Sequence, residues 1–84
     1  MLVTVELSAQ DFYHRAIGFV LAFAREKPGN IVSCAILAEE HRILFLLPEG
    51  VHALSDAQER MLTQGQTHHT LIYSIETAQE EKHV

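Results

Sequence analysis

The residues best suited to chemistry in this sequence are six histidines and one cysteine. His68 and His69 are adjacent, so on a strand they would point to opposite faces and would not readily bind one metal ion. The sequence contains neither His-x-x-x-His nor Cys-x-x-Cys, which are spacings typical of metal sites. A site built from His41, His52 and either of the adjacent histidines has no motif behind it. We therefore predict that the protein binds no metal or other cofactor.

Cys34 is the only cysteine, so no intrachain disulfide can form, which is typical of a protein from a reducing compartment. A catalytic thiol needs an exposed, electropositive setting. Cys34 instead lies in the apolar run 31–38 without a basic neighbour, and we expect it to be a buried structural residue. Glu39 and Glu40 are better explained as a solvated turn than as an acid–base pair. No glycine-rich phosphate loop is present, and we predict that the protein is not an enzyme.

The formal charge of −5 is unevenly distributed along the chain. Residues 1–30 carry three acidic and three basic side chains, whereas residues 31–84 carry eight acidic and three basic ones. An acidic chain is unsuited to the phosphate backbone, so we expect no direct nucleic-acid binding. It would instead be steered toward a basic protein surface, including one that normally holds nucleic acid. An acidic surface that only keeps the protein soluble is the alternative. The candidate partner-binding residues are Glu39, Glu40, Glu49, Asp56 and Glu59.

The elements that would position these residues can be predicted from hydrophobic periodicity and capping residues. Leu2–Leu7 alternates in the manner of a strand, with Thr4 and Glu6 on the polar side. Ser8 is the predicted N-cap of a helix from about Ala9 to Glu26. A proline and a glycine that follow Glu26 end this helix. The apolar arc of this helix is wide: Phe12, Ala16, Phe19 and Phe23 form one stripe, with Tyr13, Ile17, Val20 and Ala24 beside it.

The sequence pattern of the second half of the chain predicts a hairpin, a shorter helix and a last strand. The runs 31–38 and 42–47 are joined by three residues, which is short enough to force antiparallel pairing. The second run is apolar on both faces, as in a central strand. A capping box at Ser55 begins a helix that we expect to end at Gly65. Its expected buried contacts are Ala57, Met61 and Leu62. The run 70–76 is the last strand, and 77–84 is expected to be a frayed tail.

The predicted order is strand, helix, strand, strand, helix, strand, which is the split βαβ arrangement of ferredoxin-like domains. We therefore predict an α+β fold with a four-stranded antiparallel sheet and two helices on one face. At 84 residues, the chain 1–84 suits a single domain.

Apolar residues are more numerous than one helix layer on such a sheet requires. Leu2, Leu44, Leu46 and Ile72 are expected on the sheet face away from the helices. A large exposed apolar patch usually marks an interface, and a homodimer through this face would cover it. Alternatively, residues of the 48–55 loop, such as Val51, fold back over it.

The longest apolar stretch, 16–24, is shorter than the roughly 20 residues of a membrane span, and the start has no basic segment of a secretory signal. We expect a cytoplasmic protein without membrane contact.

Two resemblances widen the functional alternatives. The segment 43–54, ILFLLPEGVHAL, resembles a strand-plus-acid-Gly-Val segment of DsrE/DsrH-like sulfur-relay proteins, which implies sulfur transfer through a cysteine. Cys34 does not match that family's cysteine, and the extra strand 31–38 departs from its parallel sheet order. The chain also resembles, as a class and without a shared motif, the small acidic inhibitors of phages, anti-CRISPR proteins among them. That resemblance implies steric or electrostatic blocking of a nucleic-acid-handling complex.

Three functional hypotheses follow. The first is a non-enzymatic inhibitor or adaptor that docks on the basic surface of a partner such as a CRISPR effector complex. The second is a dimeric regulatory or ligand-binding ferredoxin-like domain. The third is a sulfur-relay subunit that depends on Cys34.

Overall fold

The structure is a computed structural model that describes residues 1–77. The predicted frayed tail therefore lies outside the described residues, except for Thr77. In chain order the elements are β1 (Leu2–Leu7), α1 (Ala9–Arg25), β2 (Ser33–Leu37), a 3-10 turn (Ala38–Glu40), β3 (Arg42–Leu46), α2 (Asp56–Thr67) and β4 (Leu71–Glu76). This order and the antiparallel sheet confirm the α+β class and the ferredoxin-like arrangement.

The four strands pair antiparallel in the order β2-β3-β1-β4, with β1 and β3 in the centre as predicted. Alternation along β1 buries Val3, Val5 and Leu7 on the helix side. Val3 lies opposite Phe45 and Val5 opposite Ile43, so the two central strands present one continuous apolar surface to the helices. Burial of this surface is the main stabilising contribution to the fold.

The helix α1 is anchored to the sheet by aromatic stacking. Its rings Phe19 and Phe23 lie with their centroids 6.2 and 4.4 Å from that of Phe45 on β3. Such ring pairs add stabilisation beyond the apolar area that they bury. Ser8 caps the helix as predicted, because its hydroxyl accepts a hydrogen bond from the backbone N–H of Asp11 at 3.2 Å.

The buried stripe of α1 is narrower than the sequence predicts. Only Phe12, Ala16, Phe19 and Phe23 are buried. Tyr13 and Ile17, expected to pack beside them, are 72% and 64% exposed. Only one stripe of a helix faces the sheet on which it packs. Residues outside this stripe are buried only where another element packs against them.

The capping box that begins α2 is confirmed, but the predicted end of that helix is wrong. Ser55 Oγ accepts from the N–H of Gln58 at 3.0 Å, and Gln58 Oε1 accepts from the N–H of Ser55 at 2.9 Å. The helix continues through Gly65 to Thr67. Gly65 has a packing role instead, because a Cβ built there would lie 2.4 Å from Leu71 Cδ2.

A Schellman motif ends α2 two residues beyond the predicted stop. The N–H of Thr70 donates to Gly65 O at 2.9 Å, and the N–H of His69 donates to Gln66 O at 3.0 Å. His69 occupies the position where glycine is usual, with a φ of 59°. The helix therefore ends through its backbone hydrogen bonds, without the residue that normally signals such an end.

The strand β2 is shorter than predicted, and the expected burial of Cys34 is wrong. All five residues of β2 are exposed, Cys34 among them. Cys34 lies opposite the buried Phe45, so it is on the helix side of the sheet. The helix layer ends over β3, and β2 lies beyond its cover.

The predicted contacts of α2 are only partly right. Leu62 is buried and Met61 packs against the core, but Ala57 is only half-buried. Gln58, in the first turn of α2, is the residue that is fully buried instead.

Candidate functional site

The structure does not bring the five predicted acidic residues together. Glu39 and Glu40 lie in the turn between β2 and β3, at one end of the sheet. The strand β3 carries the chain to the opposite end, where Glu49 follows it. Asp56 and Glu59 lie in the first turn of α2, which begins at that same end. The candidate residues therefore form two groups separated by the length of a strand.

Two of these five acidic side chains, Glu40 and Glu49, form ion pairs within the chain. Glu40 and Glu6 each lie 3.7 Å from the guanidinium of Arg42. Glu49 forms an ion pair with the α-amino group of Met1. Negative charge in the first turn of α2, where Asp56 lies, is favoured by the helix dipole. Local stabilisation is thus one explanation for the positions of these charges.

The four apolar residues predicted on the sheet face away from the helices lie there. We call this surface the open face. Leu2 lies opposite Leu46, Leu44 is on the same side of β3, and Ile72 is on the same side of β4. Ile72 is 65% exposed and Leu46 is 41% exposed. Ala35 and Leu37 of β2 extend this apolar surface to the sheet edge.

The loop 48–55 does not cover the open face. Val51 is 92% exposed. Leu54, the other apolar residue of the loop that might fold over the sheet, packs against the helix-side core. Thr4 and Ser74 lie opposite each other in the middle of the open face, between its apolar residues. Within the described part of the chain, these apolar residues are therefore not covered by another segment.

Charged residues border the open face on two sides. Glu6 and Arg42 lie opposite each other at one end, where Glu40 also reaches Arg42. Glu76 lies opposite Leu2 at the other end. Glu6 and Glu76 are not among the predicted partner-binding residues, although their even positions in alternating strands place them on this face.

A second apolar surface lies where α1 meets the uncovered strand β2, and we call it the edge surface. It consists of Tyr13 and Ile17 of α1 together with Cys34 and Ile36 of β2. The ring of Tyr13 lies 6.0 Å from that of His41, which directly follows the turn leaving β2, so this flank of α1 faces β2. The opposite flank of α1 faces Met61 of α2. None of the four residues is charged.

A depression of about 500 Å³ lies between the end of β1 and the end of α2. Glu6 and His69 line it, together with the hydroxyl residues Ser8 and Thr70. The Ser8 hydroxyl caps α1, and the Thr70 hydroxyl donates to Gly65 O at 3.0 Å. Both hydroxyls are engaged by backbone, so nothing in this depression resembles an activated nucleophile.

The thiol of Cys34 is exposed, as a reactive thiol must be, but its electrostatics are unfavourable. Removal of part of its hydration raises the pKa of Cys34. A raised pKa leaves less thiolate at neutral pH, which is the opposite of what sulfur-transfer chemistry needs. The sheet is also wholly antiparallel, unlike the parallel order of the sulfur-relay family.

The histidines among residues 1–77 do not converge on one site. His41 lies at the turn end of the sheet, whereas the backbone carbonyl of His52, at the other end, accepts a hydrogen bond from Lys27 Nζ. Among residues 1–77, no three His, Cys, Asp or Glu side chains are grouped to hold a metal ion.

Neither α1 nor α2 combines the length and the apolar character that crossing a bilayer would require. Comparison with known proteins finds no matching protein family, no matching curated protein and no matching solved structure. The open face and the edge surface are therefore the features from which a function must be inferred.

Proposed function

We propose that this chain is a non-enzymatic binding domain that docks its open face on a basic surface of a protein partner. The observation that carries the proposal is the set of uncovered apolar side chains on the open face with carboxylates at its border. Exposed apolar side chains bordered by polar ones are usual in a protein–protein interface. Leu46 and Ile72 supply the exposed apolar groups, and Glu6, Glu40 and Glu76 supply negative charge.

The two parts of this surface have different roles. Apolar side chains that become fully desolvated in a complex contribute most of the affinity. The rim carboxylates raise the association rate and favour basic over acidic partners. Three carboxylates against Arg42 leave the rim negative, so the charge selects a positively charged partner surface.

The partner that we propose is a nucleic-acid-handling protein complex, of which a CRISPR effector complex is one example, and the domain acts as its inhibitor. Such complexes present basic channels that bind the phosphate backbone. The net charge of −5 suits competition for a channel of that kind. The remaining candidate residues Glu39, Glu49, Asp56 and Glu59 lie outside the open face and contribute to the long-range field only.

Affinity capture from a bacterial lysate tests this proposal, with the wild-type chain compared with two variants. Ile72→Lys places a positive charge on the open face, whereas Val51→Lys places the same charge on the exposed 48–55 loop. We expect the partner to be retained by the wild type and by Val51→Lys, and lost with Ile72→Lys.

Salt dependence provides the second half of this test. Retention is expected to fall between about 50 and about 500 mM NaCl, because the Debye length shortens over that range. A partner retained equally by Ile72→Lys would contradict docking through the open face, and one retained equally at both salt concentrations would contradict the role of the rim carboxylates. The identity of the retained protein decides whether it handles nucleic acid.

The dimeric regulatory or ligand-binding domain is the second candidate, and the edge surface favours it. A ligand that binds the folded state raises the melting temperature, which distinguishes this candidate from the first. Thermal melting with metal ions and common metabolites is the corresponding measurement, and an unchanged melting temperature would exclude the ligands tested.

A further inference from the structure

We propose that two copies of this chain associate through β2, which pairs antiparallel with β2 of the second copy and has Ala35 on the two-fold axis. The pairing would join the two sheets into one of eight strands. The helices α1 of the two copies would approach each other above the joined strands. The inference rests on the edge surface and on the free side of β2, and it is independent of the proposed function.

The backbone of β2 presents hydrogen-bonding groups to a further strand. The N–H of Leu7 donates to His41 O at 3.0 Å, so the odd-numbered residues of β3 direct their backbone groups toward β1. Because these groups alternate along an antiparallel strand, the even-numbered residues of β3 bond to β2, at its odd-numbered positions. Cys34 and Ile36 therefore direct their N–H and C=O groups away from the sheet.

This edge lacks the features by which proteins prevent edge-to-edge pairing. Exposed edge strands usually carry a lysine, a proline or an inward-pointing charge. The strand β2 reads SCAIL and contains none of these. The strand β4, at the opposite edge of the sheet, includes Glu76. The difference indicates that β2, rather than β4, is the strand suited to pair with another chain.

A two-fold axis through Ala35 matches both the backbone and the side chains of β2. Cys34 of each copy lies opposite Ile36 of the other, and these pairs exchange the hydrogen bonds of the outward-directed backbone groups. Ala35 faces its own counterpart at the narrow, non-hydrogen-bonded spacing, where a small side chain fits. The register pairs the whole strand, with Ser33 opposite Leu37.

The same axis brings the exposed flanks of the two α1 helices together. Phe12 contacts His41, beyond the end of β2, and Phe23 stacks on Phe45, which lies opposite Cys34 near its beginning. The helix thus runs antiparallel to β2.

The two copies would therefore bring the Tyr13 and Ile17 flank of each α1 toward the joined strands, with Ile17 level with Ile36. These four side chains would border the Cys34 and Ile36 side chains of the joined strands.

Charge at the ends of β2 favours a second copy. Glu39 and Glu40 follow β2 at one end, whereas Arg25, Glu26 and Lys27, with one net positive charge, precede it at the other. Antiparallel pairing sets the acidic end of each copy beside the basic end of the other. The centre of the surface is uncharged, so the net charge of −5 does not place like charges in contact there.

The exposed apolar area is compatible with a stable dimer. Tyr13, Ile17, Val32 and Ile36 are each between 39% and 72% exposed. Side chains of this size offer on the order of 100 Å² each, so together they supply about half of the roughly 800 Å² per partner of a standard interface before the strand backbone is added.

Light scattering coupled to size-exclusion chromatography measures the association directly. We expect the purified chain to have twice the 9.5 kDa mass of one copy. Ile17→Lys and Ile36→Lys place charge at the centre of the edge surface, and each should weaken the dimer by about tenfold or more. Ile72→Lys is the matched control, because Ile72 is equally exposed but lies on the open face. Circular dichroism verifies that each variant folds.

Disulfide trapping tests the register. In a Cys34→Ser background, Ala35→Cys would place two thiols across the axis at about 4.5 Å between Cα atoms, within the range of a disulfide. Ser33→Cys in the same background would leave them too far apart. Mild oxidation should therefore cross-link the first variant and not the second. A monomer at all concentrations, dimerisation sensitive only to Ile72→Lys, or cross-linking of Ser33→Cys alone would overturn the proposal.

Discussion

Asn30 and Gln58 form a reciprocal pair of amide hydrogen bonds in the core. Asn30 Nδ2 donates to Gln58 Oε1 at 2.9 Å, and Gln58 Nε2 donates to Asn30 Oδ1 at 3.3 Å. The same two amides donate to the backbone carbonyls of Ala53 and Phe23, at 2.7 and 2.8 Å. One polar cluster thus fixes the end of α1, the connection that follows it and the start of α2. Every polar atom in it is satisfied, which is what makes its burial tolerable.

Gln58→Ala should be strongly destabilising. The substitution removes the hydrogen bond to Asn30 Oδ1, and a buried group that loses its hydrogen bond costs about 1–3 kcal/mol. Asn30 Nδ2 and the Phe23 carbonyl each lose one bond but keep Ala53 O and the Glu26 N–H as partners. We expect the free energy of unfolding to fall by about 2–4 kcal/mol, measured by urea denaturation. Gln64→Ala, on the exposed side of the same helix, is the control and should change stability by less than about 0.5 kcal/mol. Equal effects would contradict the role of the cluster.

Two helical glycines should respond oppositely to alanine. Gly65→Ala sets a Cβ 2.4 Å from Cδ2 of the buried Leu71, and overpacking of this kind outweighs the gain in helix propensity. We expect a loss of about 1–2 kcal/mol. Gly18 has nothing within 4 Å of its Cβ position, so Gly18→Ala should stabilise the fold by up to about 1 kcal/mol. Thermal melting of both variants gives the two signs directly.

Glycine substitutions at the two adjacent histidines at the end of α2 should also change the stability of the fold in opposite directions. His69→Gly relieves a left-handed backbone conformation and should stabilise the fold by about 0.5–1 kcal/mol. His68 has a φ of −91°, so His68→Gly gains nothing and should destabilise by a similar amount. Denaturation midpoints that move in the same direction would contradict the Schellman ending.

Cys34 should be accessible to thiol reagents but slow to react at neutral pH. Its raised pKa keeps the thiol protonated, so its reaction with a disulfide reagent should be slower in the folded chain than in the chain unfolded by urea. The unfolded thiol ionises first as pH rises, so the free energy of unfolding should decline above about pH 8.5. Cys34→Ser should remove that decline. A folded thiol that reacts faster than the unfolded one would contradict the raised pKa.

Local sequence signals were sufficient for the elements and their order. Alternation in β1, the serine caps of both helices and the doubly apolar β3 each depend on residues close together in the chain. The same alternation placed Leu2, Leu44, Leu46 and Ile72 on the open face, because side-chain direction in a strand follows from residue parity.

The errors arose where distant elements meet. Cys34 is exposed because the helix layer stops over β3, and Gly65 lies inside α2 because Leu71, from the next strand, packs against it. Neither the extent of the helix layer nor the contact between Gly65 and Leu71 can be predicted from residues that are close together in the sequence.

The sequence by itself therefore determined the α+β architecture and the composition of the open face, since both follow from short-range periodicity. Only the tertiary structure decided that the acidic residues lie at two ends of the sheet. It also decided that β2 and one flank of α1 form an uncovered edge, because coverage depends on where the helices settle on the sheet.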